Sequence, residues 1–346
     1  MLNACRLGLV LIPASIAIGL IIFYIVKSDQ NIDEEWKTES NVRRDTRAGS
    51  IEMGEDDTVV RLNREFEKYF ATTDSLTEEQ WKNALPTPME RIQMSLDERQ
   101  YCVIHEKLDP KSGKFPRYWG YVVIRASSNA TRPYLHHSAA HFQTDGDVCA
   151  QAAALFERTG SRTLVVAGAS RFAVQGNLTS PCQPPNALAD AAHNNETMFH
   201  LMNVAISEAM SAHPPSYRNV FIQWHGMANT SCPASDIYAS AGARSTNFIY
   251  QDPEAPVNKI VRAVNRVSGS DLAKTPAMDS NCRLQATTNV FGRFFNGVTA
   301  DQVCRTKSKS QNITGDFVHI EQKQEARDDW EMWTQALEQA FSIIPL

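Results

Sequence analysis

Hydrophobic positions from about residue 97 onward follow two periodicities in turn, which predicts strands that alternate with helices. Short apolar runs predict strands over 100–105, 118–125, 133–137, 162–168, 219–226 and 316–321. Apolar residues at three- and four-residue spacing predict helices over 148–158, 196–211, 256–267 and 325–343. We therefore expect an α/β fold, a three-layer sandwich around a mixed, mostly parallel sheet.

The sequence also predicts a turn, a long loop and the buried face of the last helix. Asp109-Pro-Lys-Ser-Gly113 has turn chemistry, so the first two strands should form a hairpin. Residues 169–194 are predicted to be a long polar loop. The apolar stripe of the last helix, which is formed by Trp330, Trp333, Leu337 and Phe341, should pack in the core.

The first 95 residues have a different character. Leu7 to Val26 is an uncharged run of 20 residues between Arg6 and Lys27, long enough to cross a bilayer as a helix. It has no Ala-x-Ala cleavage site, which favours an uncleaved signal anchor behind a cytoplasmic tail of residues 1–6. Residues 27–95 are predicted to be a charged stem with short helices near 57–70 and 77–83. The lumenal or extracellular α/β domain should then span 96–346.

Two further patterns favour export. Glycosylation sequons begin at Asn129, Asn177, Asn195, Asn229 and Asn312. Six cysteines follow the predicted span, enough for up to three disulfides: Cys102, Cys149, Cys182, Cys232, Cys282 and Cys304. In this compartment Cys149 is interpreted as a disulfide partner rather than a nucleophile. The net charge of −5 gives no basic surface for nucleic acid.

Histidines and carboxylates lie where three predicted strands end. Because ligands bind beyond the carboxyl ends of parallel strands, these residues should meet in one crevice. His141, Asp145 and His225 form a plausible set of zinc ligands, with Asp147 or His137 as substitutes. Asp145 and Asp147 are alternatively helix caps.

Other residues near these strand ends suggest the remaining parts of a catalytic site. Glu321 is placed to move protons as the catalytic carboxylate. Arg327 and Arg171 are candidates to hold a carboxylate of a small or peptide-like substrate.

The order of several blocks resembles a known group of enzymes. These blocks are Ala-Ala-His141 to Phe156, Leu-Val-Val-Ala-Gly168, Gln-Trp-His225-Gly226, Thr-Asn-Val-Phe-Gly-Arg293 and Val-His-Ile-Glu321-Gln, with Arg327 after them. They are similar to zinc amidases that include N-formylglutamate amidohydrolase and phage poly-γ-glutamate hydrolase. The resemblance covers roughly 134–330, and the chain also resembles uncharacterised secreted fungal and microbial proteins.

The resemblance to the amidases implies a fold, an activity and residue roles. It implies a zinc-carboxypeptidase-like fold, with His141 and His225 as metal ligands, an acidic third ligand near Asp145 and Glu321 as the catalytic carboxylate. The expected activity is hydrolysis of an amide bond in a carboxylate-bearing substrate. The chain departs from the group's pattern after His141, where Phe142-Gln143 replaces Gly-Gly, and at His319, where glutamine is usual.

Two other function classes fit parts of the sequence. A tail, anchor, stem and glycosylated body are typical of Golgi glycosyltransferases, and Asp145-Gly-Asp147 fits their Asp-x-Asp motif. That motif usually closes an apolar strand, and it leaves His225 and Glu321 without a role. The third class is a non-catalytic glycoprotein on the same fold.

Overall fold

The computed structural model describes residues 89–96, 99–107, 109–111, 117–125, 130–141, 144–174, 177–212 and 218–343. The predicted tail, membrane span and most of the stem lie outside these residues, as does Asn129. Within the described ranges, helices fall short of the length and apolar character that crossing a membrane requires.

Within the described residues, nine strands form one sheet in the order β1-β2-β3-β5-β4-β6-β9-β7-β8. Their bounds are Met89–Leu96 (β1), Arg99–Glu106 (β2), Tyr121–Arg125 (β3), Arg132–Ala139 (β4), Ser161–Val166 (β5), Val220–Gly226 (β6), Ile237–Ser240 (β7), Ala273–Lys274 (β8) and Phe317–Gln322 (β9). β5, β4, β6 and β9 run parallel at the centre, whereas β1, β2, β3 and β7 add antiparallel pairings on both sides. The mixed sheet and the β2–β3 antiparallel pair are confirmed. The expectation of a mostly parallel sheet is not met, because four of the described strand pairs are parallel, the β7–β8 pair among them, and four are antiparallel.

Helices cover both faces of the sheet. They are Val148–Arg158 (α1), Met198–Ala212 (α2), Pro256–Ser268 (α3), Val290–Phe295 (α4), Gln324–Asp328 (α5) and Trp330–Ala340 (α6), with 3-10 turns at Phe248–Gln251, Ala300–Gln302 and Ser310–Asn312. Apolar residues of α1, α3 and α6 pack with one face, and those of α2 and α4 pack with the other. This arrangement confirms the prediction of an α/β sheet flanked by helices.

The structure differs from the predicted elements at β1, at β7 and β8, at α4, which was not predicted, and in the last helix. β1 lies in the segment predicted as stem, because Met89–Leu96 pairs along its whole length with β2. β7 and β8 were not predicted, since four and two residues are too few to show a periodicity. The last helix is broken at Asp329, whose side chain accepts a hydrogen bond from the Met332 N–H and so begins α6.

Two disulfides lie in the part of the chain that the structure describes, Cys182 to Cys304 and Cys232 to Cys282. These two disulfides agree with the expectation of up to three, but the interpretation of Cys149 as a disulfide partner is wrong, because this thiol is buried in the core between α1 and the sheet. Burial also raises the pKa of the Cys149 thiol, so it is not an activated nucleophile.

A buried ion pair holds α1 to the antiparallel side of the sheet. The Arg125 guanidinium lies 2.8 Å from the Glu157 carboxylate, and both side chains are at most 2% exposed. The Tyr101 hydroxyl donates to the same carboxylate over 2.7 Å, and Arg125 also donates to the carbonyls of Ser161 and Phe156. These partners satisfy the charges that burial would otherwise penalise.

Replacing Glu157 with alanine should lower the free energy of unfolding by about 3–5 kcal/mol, because Arg125 would stay buried without its counter-charge. Chemical denaturation followed by tryptophan fluorescence measures this change. Glu331→Ala is the control, since Glu331 pairs with Arg158 at the surface over 3.6 Å and its side chain is 71% exposed. The control should lose only about 0–1 kcal/mol. Equal losses in the two variants would contradict the role assigned to burial.

Candidate metal centre

The candidate site lies at the carboxyl ends of three adjacent parallel strands. β6 and β9 are paired in register, so that Phe221, Gln223 and His225 lie beside Phe317, His319 and Glu321. These six side chains share the face covered by α2 and α4, because alternate residues of a strand point to one side. The face is aromatic where the strands begin and becomes polar toward their carboxyl ends. His141 follows two residues after the end of the neighbouring strand β4.

Three potential ligand atoms form a nearly equilateral triangle at this edge. His141 Nδ1 lies 3.0 Å from Asp145 Oδ2, and His225 Nδ1 lies 3.1 Å from each of these two atoms. All three side chains are more than nine-tenths buried. The structure therefore brings together the three residues that the sequence singled out as zinc ligands.

The other nitrogen of each imidazole ring faces a hydrogen-bond acceptor. His141 Nε2 lies 2.9 Å from Asp190 Oδ1, and His225 Nε2 lies 2.9 Å from Gln223 Oε1. Each Nε2 is therefore the natural position of the ring proton. A neutral histidine with this tautomer has its lone pair on Nδ1, directed into the triangle.

Two glycines allow the Asp145 carboxylate to reach His225. Gly146 has a φ of +72°, and a side chain there would meet the Arg327 guanidinium. At Gly226 a Cβ would come within 2.5 Å of the Asp145 carbonyl oxygen. The close approach lets the Gly226 N–H donate to Asp145 Oδ2 over 3.2 Å. Glycine is thus required at position 226 for steric reasons, while the chemical role belongs to His225.

Without a metal, one proton holds the triangle together. Burial lowers the pKa of His141, but the hydrogen bonds to Asp145 and Asp190 outweigh burial and raise it to about 9. Burial lowers the pKa of His225 to about 4, so this ring is neutral. Burial opposes ionisation of Asp145, yet its hydrogen bonds to the two histidines keep its pKa well below the usual value. The metal-free site is thus a protonated His141 between two carboxylates.

A metal ion fits the same place as that proton. Zinc binds imidazole nitrogen and carboxylate oxygen at about 2.0–2.2 Å, and atoms spaced about 3 Å apart can all lie at that distance from one point. Two histidines and one aspartate would leave a position open for water or substrate, as catalytic zinc sites do. The donor set and its geometry therefore suit zinc.

Asp190 completes the surroundings of His141, and the sequence did not reveal it. This fully buried carboxylate accepts from His141, from His193 Nδ1 over 3.1 Å and from the Ala192 N–H over 3.2 Å. Arg171 contacts its other oxygen and places Nη1 3.2 Å from His141 Nδ1. Asp190 is therefore saturated by donors and orients His141. It lies in the predicted polar loop, where only the Asp-Ala-Ala-His spacing could have indicated it.

Glu321 lies beside the triangle, as its pairing with His225 across β6 and β9 requires. One of its carboxylate oxygens, a nitrogen of His225 and a nitrogen of His319 fall within 4.8 Å of one another. Burial, and next the charge of Asp145, raise the pKa of Glu321 to about 8. His319 stacks on His225 with ring centroids 4.4 Å apart, so it packs against one candidate ligand and contacts the candidate acid–base group at 3.7 Å.

Neither substitute ligand reaches the triangle. His137 lies inside β4 on the opposite face, where it accepts from Trp224 Nε1 over 3.0 Å and contacts Ser161 Oγ at 2.9 Å. Asp147 occupies the N-cap position of α1 without a capping hydrogen bond. Its exposed carboxylate instead accepts from Arg327 Nε over 3.0 Å. Arg327 is largely buried and pairs with Asp147, whereas Arg171 is one quarter exposed and its Nη1 lies 3.2 Å from His141 Nδ1.

Four of the predicted glycosylation sites lie in the described residues. Asn177, Asn229 and Asn312 are exposed, and Asn195 is half-buried. Glycosylation of these asparagines stays a prediction.

Comparisons with known proteins add little to this geometry. No protein-family profile matches the chain, and no curated protein matches it. Among solved structures, a candidate carboxypeptidase A from Shewanella denitrificans matches at 11% identity and a TM-score of 0.33, over 73% of this chain and 64% of its own. A gene product of Agrobacterium tumefaciens matches at 13% identity and a TM-score of 0.32, over 60% of this chain and 86% of its own. The first match spans less than two thirds of the Shewanella protein, and neither likeness bears on the chemistry of this chain.

Zinc binding should release about one proton at pH 7, because the metal-free His141, with a pKa of about 9, must become neutral to donate its Nδ1 lone pair. The affinity should accordingly rise with pH until about pH 9. Calorimetry in two buffers of different ionisation enthalpy measures the number of protons. Glu321→Gln, titrated in parallel, removes any contribution from that carboxyl. Binding that releases no proton and is independent of pH between 7 and 9 would show that the triangle is not the site.

Proposed function

We propose that this chain is a zinc-dependent hydrolase that cleaves an amide bond in a carboxylate-bearing substrate. The observation that carries the proposal is the triangle of His141, Asp145 and His225, with two ring nitrogens and a carboxylate oxygen within 3.1 Å of one another. Groups of this kind repel one another unless a cation or a proton lies between them.

The bound zinc would supply Lewis-acid polarisation of a carbonyl and an acidified water. The protein provides the proton transfer. Glu321, with a pKa of about 8, can accept a proton from water and return it to the leaving amine near neutral pH. Its position beside His225, with only 13% of its side chain exposed, keeps this exchange away from bulk solvent.

Arg171 supports the substrate class. Its side chain is one quarter exposed, and its guanidinium lies between Asp190 and His141 at the edge of the triangle. The exposed part of such a guanidinium can bind a substrate carboxylate. The small or peptide-like substrate would therefore be anchored by its acid group next to the scissile amide.

The geometry gives less support to the glycosyltransferase alternative. An Asp-x-Asp site needs two carboxylates directed at one ion. Here Asp145 faces His141 and His225, whereas Asp147 faces Arg327. The two carboxylates thus serve different partners within the described structure.

The compartment is part of the proposal. Two disulfides are typical of extracellular and lumenal proteins. We propose in addition that residues 7–26 anchor the chain in the membrane and that the sequons carry glycans, as the sequence indicates.

The purified protein should contain about one zinc per chain, and His225→Ala should remove it by deleting one of the three ligands. Elemental analysis after dialysis gives the metal and its stoichiometry. His200→Phe is the matched control, because His200 is equally buried but packs against Phe294, away from the triangle. Iron in place of zinc, or zinc retained in the His225 variant, would exclude this proposal.

Glu321→Gln should retain zinc and lose about 10²- to 10⁴-fold in turnover, the usual contribution of a general acid–base group. A panel of N-acyl-amino acids and γ-glutamyl peptides, followed by the appearance of free amine, supplies the assay. The glutamine amide has the size of the glutamate carboxyl group, so the substitution should lower turnover without disturbing the fold. Full turnover in this variant would exclude Glu321 as the catalytic carboxylate.

A further inference from the structure

We infer that Asn289 and Gln223 are positioning residues that fix the ring tautomer of His225 and thereby direct its Nδ1 lone pair at the metal. The expected effect on zinc binding rests on the proposed function, but the hydrogen bonds from which the inference is drawn are independent of any metal. They run from the first turn of α4, through two side-chain amides, to the imidazole.

The chain of hydrogen bonds starts at a helix cap whose polarity is fixed. Asn289 precedes α4, and its Oδ1 accepts from the Gly292 N–H over 2.8 Å. A backbone N–H can only donate, so this end of the amide must be the oxygen. The other end, Nδ2, is therefore a donor, and it points at Gln223.

The orientation of Gln223 follows from that of Asn289. Asn289 Nδ2 donates to Gln223 Oε1, and both side chains are at most 1% exposed. The opposite orientation of the Gln223 amide would set two NH₂ groups against each other in the interior. Gln223 therefore presents its oxygen, which has a second lone pair for another donor.

His225 is the second donor to that oxygen. His225 Nε2 lies 2.9 Å from Gln223 Oε1, and only a protonated Nε2 makes this contact a hydrogen bond. With the proton on Nε2, Nδ1 carries the lone pair, and it faces His141 Nδ1 and Asp145 Oδ2 at 3.1 Å. The helix cap thus decides which nitrogen of His225 is free to bind a metal. The tautomer of the other ligand, His141, is set separately by Asp190.

Asn289→Asp tests the inference because it keeps the oxygen that caps α4 and replaces the Nδ2 donor, at the other end of the side chain, with an acceptor oxygen. Aspartate caps helices as well as asparagine does, so the thermal unfolding midpoint should change little. At pH 8 the substituted side chain is a carboxylate, and its second oxygen requires a hydrogen-bond donor. Gln223 can supply one only by turning its NH₂ group toward that oxygen. The same NH₂ group then faces His225 Nε2, which must become the acceptor. We expect His225 to shift toward the Nδ1–H tautomer and zinc affinity to fall about 10- to 100-fold.

Gln223→Glu is the opposing variant with the same amide-to-acid change. A glutamate offers acceptors in either orientation, so it keeps both the bond from Asn289 and the Nε2–H tautomer. Its charge makes the imidazole a stronger ligand, and zinc should bind as tightly or more tightly. A purely structural role for these buried amides would instead make both acid substitutions weaken binding alike.

Two measurements separate the possible outcomes. Long-range ¹H–¹⁵N correlation spectra of the metal-free protein, labelled at histidine, report the tautomer of His225, and competition with a chelator reports zinc affinity. An Nδ1–H tautomer in the unsubstituted protein, or an Asn289→Asp variant unchanged in both tautomer and affinity, would overturn the inference. Failure of the unsubstituted chain to bind zinc, with the Nε2–H tautomer intact, would overturn the proposed function instead.

Discussion

The structure depends on the mutual repulsion of three electron-rich side-chain atoms at the carboxyl ends of three strands. Two imidazole nitrogens and one carboxylate oxygen meet in a buried triangle with sides of 3.0–3.1 Å. Such a group is stable only with a positive charge inside it, either a proton or a metal ion. The surrounding features all serve this arrangement: the glycine at 226 admits Asp145, while Asp190 and Gln223 hold the far sides of the two rings.

The sheet separates this chemistry from an apolar interior by a single residue of register. Trp224 lies between Gln223 and His225 in sequence, yet it points to the opposite face, where it packs on Trp333 with ring centroids 4.9 Å apart. Because side chains alternate, a slip of one residue in β6 would bury the candidate ligand among aliphatic residues and expose the tryptophan to the site. The packing of Trp224 therefore secures the position of His225.

The sequence predicted what depends on periodicity and missed what depends on tertiary contacts. His141, His225 and Glu321 were foreseeable because each lies at the end of an apolar strand, and parallel strand ends converge. The choice between Asp145 and Asp147 stayed open because both flank one glycine, and only the turn geometry directs the first inward. Asp190 and Asn289 come from a loop and from a helix of six residues, where no periodic pattern marks a position. Their roles arise from what they face across the fold.

The Cys182–Cys304 disulfide bears on how the centre is assembled. The loop that supplies Asp190 to His141 contains Cys182, and the segment after α4, the helix that Asn289 begins, contains Cys304. Cys182 also packs with Val290, Val298 and Val303, so the two segments share one small core. The supports of both histidines are consequently parts of a single cross-linked frame, although they lie about a hundred residues apart in sequence. Chain produced in a reducing cytosol would lack this covalent link between the segments that hold the far sides of His141 and His225.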